Sequence, residues 1–145
     1  MCDRSTELRN ESTGDATASP AVVRVMIVDD QQPFRAAARA VLERVAGFQL
    51  VAEVDSGEAA VAACASSAPD LVLMDINMGA LDGIEATQLI TTADPAIRVI
   101  LVSTYALDDL PPAARTSGAI AYVNKDELSP KVIRRLWESG GDPSW

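Results

Sequence analysis

Asp70-Leu71-Val72-Leu73-Met74-Asp75-Ile76-Asn77-Met78 is the stretch on which the reading of this chain turns. Leu71 to Met74 form an apolar run of strand length, closed by a carboxylate and followed by Gly79 and Gly83. That is the pattern of a strand buried on both faces that surfaces at its carboxyl end. Asp75 therefore stands where a buried strand leaves its sheet. An acid there serves chemistry or mere solvation, and the choice depends on whether other strand ends bring partners to it.

Working outward, the same pattern recurs. Val23 to Val28 is a β-branched run ending in Asp29-Asp30, and Phe48 to Val54 reads as a second strand. Between them a helix with Pro33 in its first turn carries Phe34, Ala37, Val41 and Val45 at helical spacing and stops at Gly47. Ser56 caps an Ala-rich helix with Val61 and Cys64 on one face, which ends before Pro69. A third helix spans about Asp82 to Thr92, with Ile84, Leu89 and Ile90 as apolar contacts. Ile97 to Val102 is the fourth strand, ending in Ser103-Thr104-Tyr105. A short fourth helix is expected from Pro111-Pro112 to Gly118, because prolines fit only a first turn. Ala119 to Val123 is the fifth strand, followed by Asn124-Lys125. Ser129-Pro130 opens a last helix with Val132, Ile133, Leu136 and Trp137 on one face, closed by Gly140-Gly141.

Five strands alternating with helices imply an α/β fold, a (βα)5 doubly wound five-stranded parallel sheet of flavodoxin-like strand order 2-1-3-4-5. Residues 22–140 form this domain. Residues 1–21 are rich in Ser, Thr, Asp, Glu and Asn and read as a disordered tail, and 141–145 as a short tail beyond the last helix.

Composition narrows the chemistry. The 145 residues carry a net charge of −9, which disfavours nonspecific binding to nucleic acid or acidic lipid. No apolar run approaches the ~18 residues of a membrane span, and no signal-peptide pattern opens the chain, so cytoplasm is the expected location. Cys2 and Cys64 suggest neither a disulfide framework nor a metal cluster, and Cys64 reads as a small core residue. Histidine is absent, which removes Ser-His-Asp and Cys-His catalysis and any phosphohistidine on this chain.

In parallel sheets, sites form beyond the carboxyl ends of the strands. The residues there are Asp29-Asp30, Asp75, Ser103 and Lys125. Three adjacent carboxylates repel unless a cation lies among them, and a hard divalent ion such as Mg²⁺ suits oxygen ligands and retains open positions. An aspartate beside Mg²⁺ can attack phosphorus, with Lys125 and Ser103 stabilising the equatorial oxygens. Each residue alone has a plainer reading: a solvated strand end or cap for Asp29-Asp30, a turn residue for Ser103, a surface charge for Lys125. Their convergence favours a site.

On Asp29-Asp30, Pro69-Asp70 leading into Met74-Asp75, Asp82-Gly83, Ser103 and Tyr122-Val123-Asn124-Lys125, the chain resembles the receiver domains of bacterial two-component response regulators, over about Val22 to Ser139. The wording of strands four and five is similar to receivers of the LuxR/NarL type. The resemblance implies that Asp75 is the phosphoacceptor, served by a sensor histidine kinase or phosphotransfer protein. It implies that Asp30, Asp75 and the backbone carbonyl of Asn77 bind Mg²⁺ directly and Asp29 through water. Ser103, with Thr104 as a rival, and Tyr122 fall in the places of the family's switch pair, although Tyr122 also reads as simple packing. Asn77 and Tyr105 occupy positions that modulate phosphoryl lifetime.

Two departures accompany the match. Met78-Gly79 stands where the family usually has Met-Pro, and Pro111-Pro112 shortens helix four, part of the usual signalling surface. The leading expectation is a single-domain receiver with no output domain and no direct DNA binding, which phosphorylation switches towards an unidentified protein target, with a homodimer among its partner states. As a signalling receiver it is expected not to be an enzyme, catalysing only its own phosphorylation and dephosphorylation. The alternatives are an unswitched, pseudo-receiver-like interaction module and, with less support, a carboxylate-dependent phosphatase.

Overall fold

Val23–Val28 (β1), Phe48–Val54 (β2), Leu71–Asp75 (β3), Arg98–Ser103 (β4) and Ala121–Asn124 (β5) pair in parallel in the order β2-β1-β3-β4-β5. The computed structural model that shows this describes residues 22–145; the tail expected over 1–21 lies outside them. Three α-helices connect strands, Gln32–Glu43 (α1), Gly57–Ser67 (α2) and Gly83–Ala93 (α3), and a fourth, Pro130–Ser139 (α4), follows β5.

The two-residue period of the strands sorts their side chains into two cores. Val25, Ile27, Leu71, Leu73, Ile100, Val102, Ala121 and Val123 pack with Ala38 and Leu42 of α1 and with Ile133 and Leu136 of α4. Met26, Val28, Val72, Met74, Val99 and Leu101 pack on the opposite face with Ala60 of α2 and with Ile84, Ala86 and Ile90 of α3. Burying each large aliphatic side chain stabilises the fold by about 1.5–3 kcal/mol. Because β1, β3 and β4 are roofed on both faces, their sequences show no alternation of apolar and polar residues.

Three helix starts are capped as the sequence indicates. Ser56 Oγ accepts from Ala59 N at 3.1 Å, Asp82 Oδ1 from Glu85 N at 2.8 Å, and Ser129 Oγ from Val132 N at 3.2 Å. Gly83 has a second role. A Cβ at this position would collide with the backbone carbonyl of Asp75, so glycine is what lets α3 begin directly beside the end of β3.

Four expectations are corrected. The fourth helix does not form: between β4 and β5 the chain makes only single 3-10 turns, at Leu107–Asp109 and Pro112–Ala114. Pro112 forces Pro111 into an extended conformation (φ −59°, ψ 143°), and neither proline offers an N–H to a helical ladder. Leu89, assigned to the core, is 51% exposed on α3. On α1 the buried positions are Ala38 and Leu42, with Ala37 facing solvent. Cys64 is half-buried against the α2/α3 core, and burial pushes its thiol up to about 11. Residues 141–145, expected as a tail, turn back onto β5: Asp142 N donates to Ile120 O at 3.0 Å, and the Trp145 ring joins the α2/α3 core.

Candidate functional site

Strand parity places the charged groups. Asp29, Asp75 and Lys125 each stand two residues beyond a member of the α1/α4 core (Ile27, Leu73, Val123), so their side chains emerge on the same side of the sheet. Lys125 Nζ lies 2.7 Å from Asp29 Oδ2 and 3.3 Å from Asp75 Oδ1. It also sits 4.4 Å from the ring centroid of Phe34, a cation–π contact from the first turn of α1. The lysine is thus held from three sides. Ser103 has the other parity, following Val99 and Leu101, and it approaches the same cavity from the α2/α3 side. That cavity, about 140 Å³, is lined by Gln31, Asp75, Asn77, Ser103, Thr104 and Lys125.

Asp29 is fully buried and Asp75 nearly so, whereas Asp30 is exposed. One carboxylate oxygen from each lies within 4.8 Å of the others. Asp29 Oδ1 accepts from Gln31 N at 2.8 Å, and Arg35 Nη1 donates to the Asp29 carbonyl at 2.6 Å, which fixes the acid at the end of β1. Its Oδ2 is buried against the Lys125 ammonium. Burial raises the Asp75 pKa to about 6, helped by the charges of Asp29 and Asp30 and opposed by Lys125. Burial works against the Lys125 charge too, but the carboxylates of Asp29 and Asp75 outweigh it and hold its pKa above the ordinary lysine value. Three carboxylates with oxygens within 4.8 Å of one another fit a hard divalent cation, whose charge would relieve the repulsion that adds to the effect of burial on Asp75.

The two flanking residues singled out in the sequence meet at the mouth of the site. Tyr105 Oη donates to Asn77 Oδ1 at 3.3 Å, bridging the loops after β3 and β4. Tyr105 N donates to Ser103 Oγ at 3.2 Å, which leaves the Ser103 hydroxyl proton available to a ligand. Tyr122 is half-buried, and its hydroxyl reaches the carbonyls of Ser103 (3.1 Å) and Tyr105 (2.5 Å). Gly79 has φ +29°, a conformation closed to the proline usual there. Sequence reasoning missed Phe34 and Arg35 as neighbours of the site. The available signal was their place in the first helical turn after Asp29-Asp30, close to the same strand end.

A family model described as "Response regulator receiver domain" matches residues 25–136. The chain belongs to the response regulator receiver domain family. Among relatives, the response regulator UvrY of Escherichia coli (strain K12) is 33% identical over 115 residues, 79% of this chain and 53% of that protein. GacA of Pseudomonas viridiflava is 34% identical over 115 residues, 79% of this chain and 54% of its own length. The receiver thus spans about half the length of these relatives. The receiver domain of the NarL regulator from Mycobacterium tuberculosis superposes with a TM-score of 0.75 at 26% identity, covering 83% of this chain and 97% of that one. Expectations of a flavodoxin-like order and of LuxR/NarL-type similarity are both borne out. Among the described residues, no helix is long and apolar enough to cross a membrane.

Proposed function

We propose that this receiver accepts a phosphoryl group on Asp75 from a histidine kinase or phosphotransfer protein, with Mg²⁺ as cofactor. The observation that carries this reading is the convergence of Lys125 on Asp29 and Asp75 beside a triad of carboxylates within 4.8 Å. Asp30, Asp75 and the backbone carbonyl of Asn77 would hold the ion, with Asp29 acting through water; when bound, it supplies charge neutralisation of the transferring phosphoryl oxygens. Lys125 holds Asp75 Oδ1, leaving Oδ2 to attack phosphorus. The new Oδ2–P bond forms as the bond from phosphorus to the donor's leaving group breaks. Lys125 and the Ser103 hydroxyl then face the phosphoryl oxygens. Tyr122 and Ser103 form the switch pair, and Asn77 and Tyr105 modulate access of water.

Incubation with Mg²⁺ and acetyl phosphate should add one phosphoryl group to the wild type and none to Asp75→Asn, as read by intact mass. Equal gains in both proteins would overturn the assignment of Asp75.

The output surface is a protein-binding groove of about 660 Å³ beside β5 and α4, lined among others by Leu107, Tyr122, Glu127, Val132 and Arg135. A constitutive, unswitched interaction module is the second reading, favoured by the missing helix between β4 and β5. Partner capture that depends on phosphorylation excludes it.

A further inference from the structure

The loss of helix four uncovers one face of β5, and the chain after α4 fills it. Tyr122 has the opposite parity to Ala121 and Val123, so its ring lies on the α2/α3 side, where that helix would have packed. The Trp145 ring stacks on it, with centroids 6.4 Å apart and planes inclined by 25°.

Trp145 is fixed by several contacts. Its indole N–H donates to Ala119 O at 2.9 Å, and the Arg115 guanidinium lies 4.8 Å from its ring centroid. Arg115 Nη1 also donates to Trp145 O at 3.0 Å, and Trp145 N donates to Asp142 O at 3.0 Å. The approach is set by Asp142 N on Ile120 O and by Gly141 N on Leu136 O, 2.9 Å. Arg115 comes from the turns that stand in place of helix four, so both replacements for the helix are tied to each other.

From Trp145 a continuous set of contacts reaches the site. Tyr122, beneath the indole, bonds through its hydroxyl to the carbonyls of Ser103 and Tyr105. Those two residues place the Ser103 hydroxyl in the Asp75 cavity and the Tyr105 hydroxyl on Asn77. We propose that residues 141–145 are a strap whose Trp145 clamps Tyr122, and through it the loop after β4, in the arrangement in which Asp75 accepts a phosphoryl group. Docking of the strap and phosphorylation are then linked, and each favours the other. The inference rests on the receiver reading above.

The test is a double-mutant cycle on the rate of phosphorylation by acetyl phosphate at saturating Mg²⁺, with circular dichroism confirming that each variant folds. Trp145→Ala should slow phosphorylation at least about fivefold, the lower end of ordinary site-to-site coupling. Trp145→Phe, which keeps the stack, should restore most of the rate. In a Tyr122→Phe background, where the ring remains but the hydroxyl contacts are gone, Trp145→Ala should change the rate less than about twofold. An unchanged rate in Trp145→Ala, or equal losses in both backgrounds, would overturn the clamp. If the wild type takes up no phosphoryl group, the receiver reading itself fails. The strap is then judged by acrylamide quenching of Trp145 in a Trp137→Phe background, where Tyr122→Ala should raise quenching; no rise would overturn it.

Discussion

In the proposed reaction Asp75 meets two opposed requirements: it must be ionised to attack phosphorus, yet it sits where burial disfavours ionisation. Its folded pKa of about 6 lies above the ordinary carboxylate range. Relative to the unfolded chain the metal-free fold therefore favours the protonated acid, and the associated stability is fully present below about pH 4 and lost as pH rises through about 6. Removing the charge should remove the penalty. In metal-free buffer at pH 8, Asp75→Asn is expected to be more stable than the wild type by on the order of 2 kcal/mol, with the difference closing towards pH 4. Urea unfolding at several pH values measures this, and a difference that does not vary with pH would show that burial does not shift Asp75. Lys125 behaves in the reverse sense. Lys125→Ala would leave Asp29 buried beside Asp75 without its counter-charge, a loss of about 3–5 kcal/mol where both carboxylates stay ionised. Added Mg²⁺ should recover part of that stability, which a thermal melt with and without the ion would reveal.

Among the secondary elements, the junction of β3 and α3 is where geometry leaves least room. Gly83→Ala should cost about 3 kcal/mol, since the new methyl meets backbone rather than a side chain that can move aside. Gly79→Ala, at φ +29° but with open space around it, should cost about 1 kcal/mol. Comparable losses in the two variants would show that the approach of α3 to Asp75 is not what glycine protects. Elements whose pattern is set locally were legible in the sequence: β2 matches its expected bounds, and the Ser56, Asp82 and Ser129 caps lie where the residues announce them. The strand-end acids were legible as well, because parallel topology alone brings Asp29, Asp75 and Lys125 together. What could not be read depended on neighbours distant in sequence. Leu89 has the apolarity of a core residue but lies on the outer side of α3, and Ala37 and Ala38 differ only in which one faces the sheet. Phe34 reads as ordinary helix packing until Lys125 is found over its ring. Trp145 offers no local sign of the tyrosine on which it stacks.

For the molecule as a whole, the two faces of the sheet are covered by different means, and stability should follow. One face is roofed by α1 and α4, with Arg98 pinning α4 by a cation–π contact to Trp137 at 4.4 Å and a hydrogen bond to its carbonyl at 3.1 Å. The other is roofed by α2 and α3 and, over β5, by residues 104–118 and Trp145. In that last stretch the backbone bonds are isolated turns, such as Asp109 N to Ala106 O and Ala114 N to Pro111 O, with no ladder to make them cooperative. Only Ala114 and Ser117 are well buried between Thr104 and Gly118. Local opening there exposes little apolar surface, whereas opening β1, β3 or β4 requires both cores to come apart. Native-state hydrogen exchange should therefore show amides of 105–110 exchanging at least about 3 kcal/mol below those of the three central strands. Phosphorylation, if it tightens the Ser103–Tyr105 loop, should slow exchange at 105–110 and leave β1 and β3 unchanged. Uniform protection across 105–118 and the strands would mean that the turns belong to the same cooperative unit as the core. Signalling from Asp75 would then require a change in the whole sheet rather than in one edge.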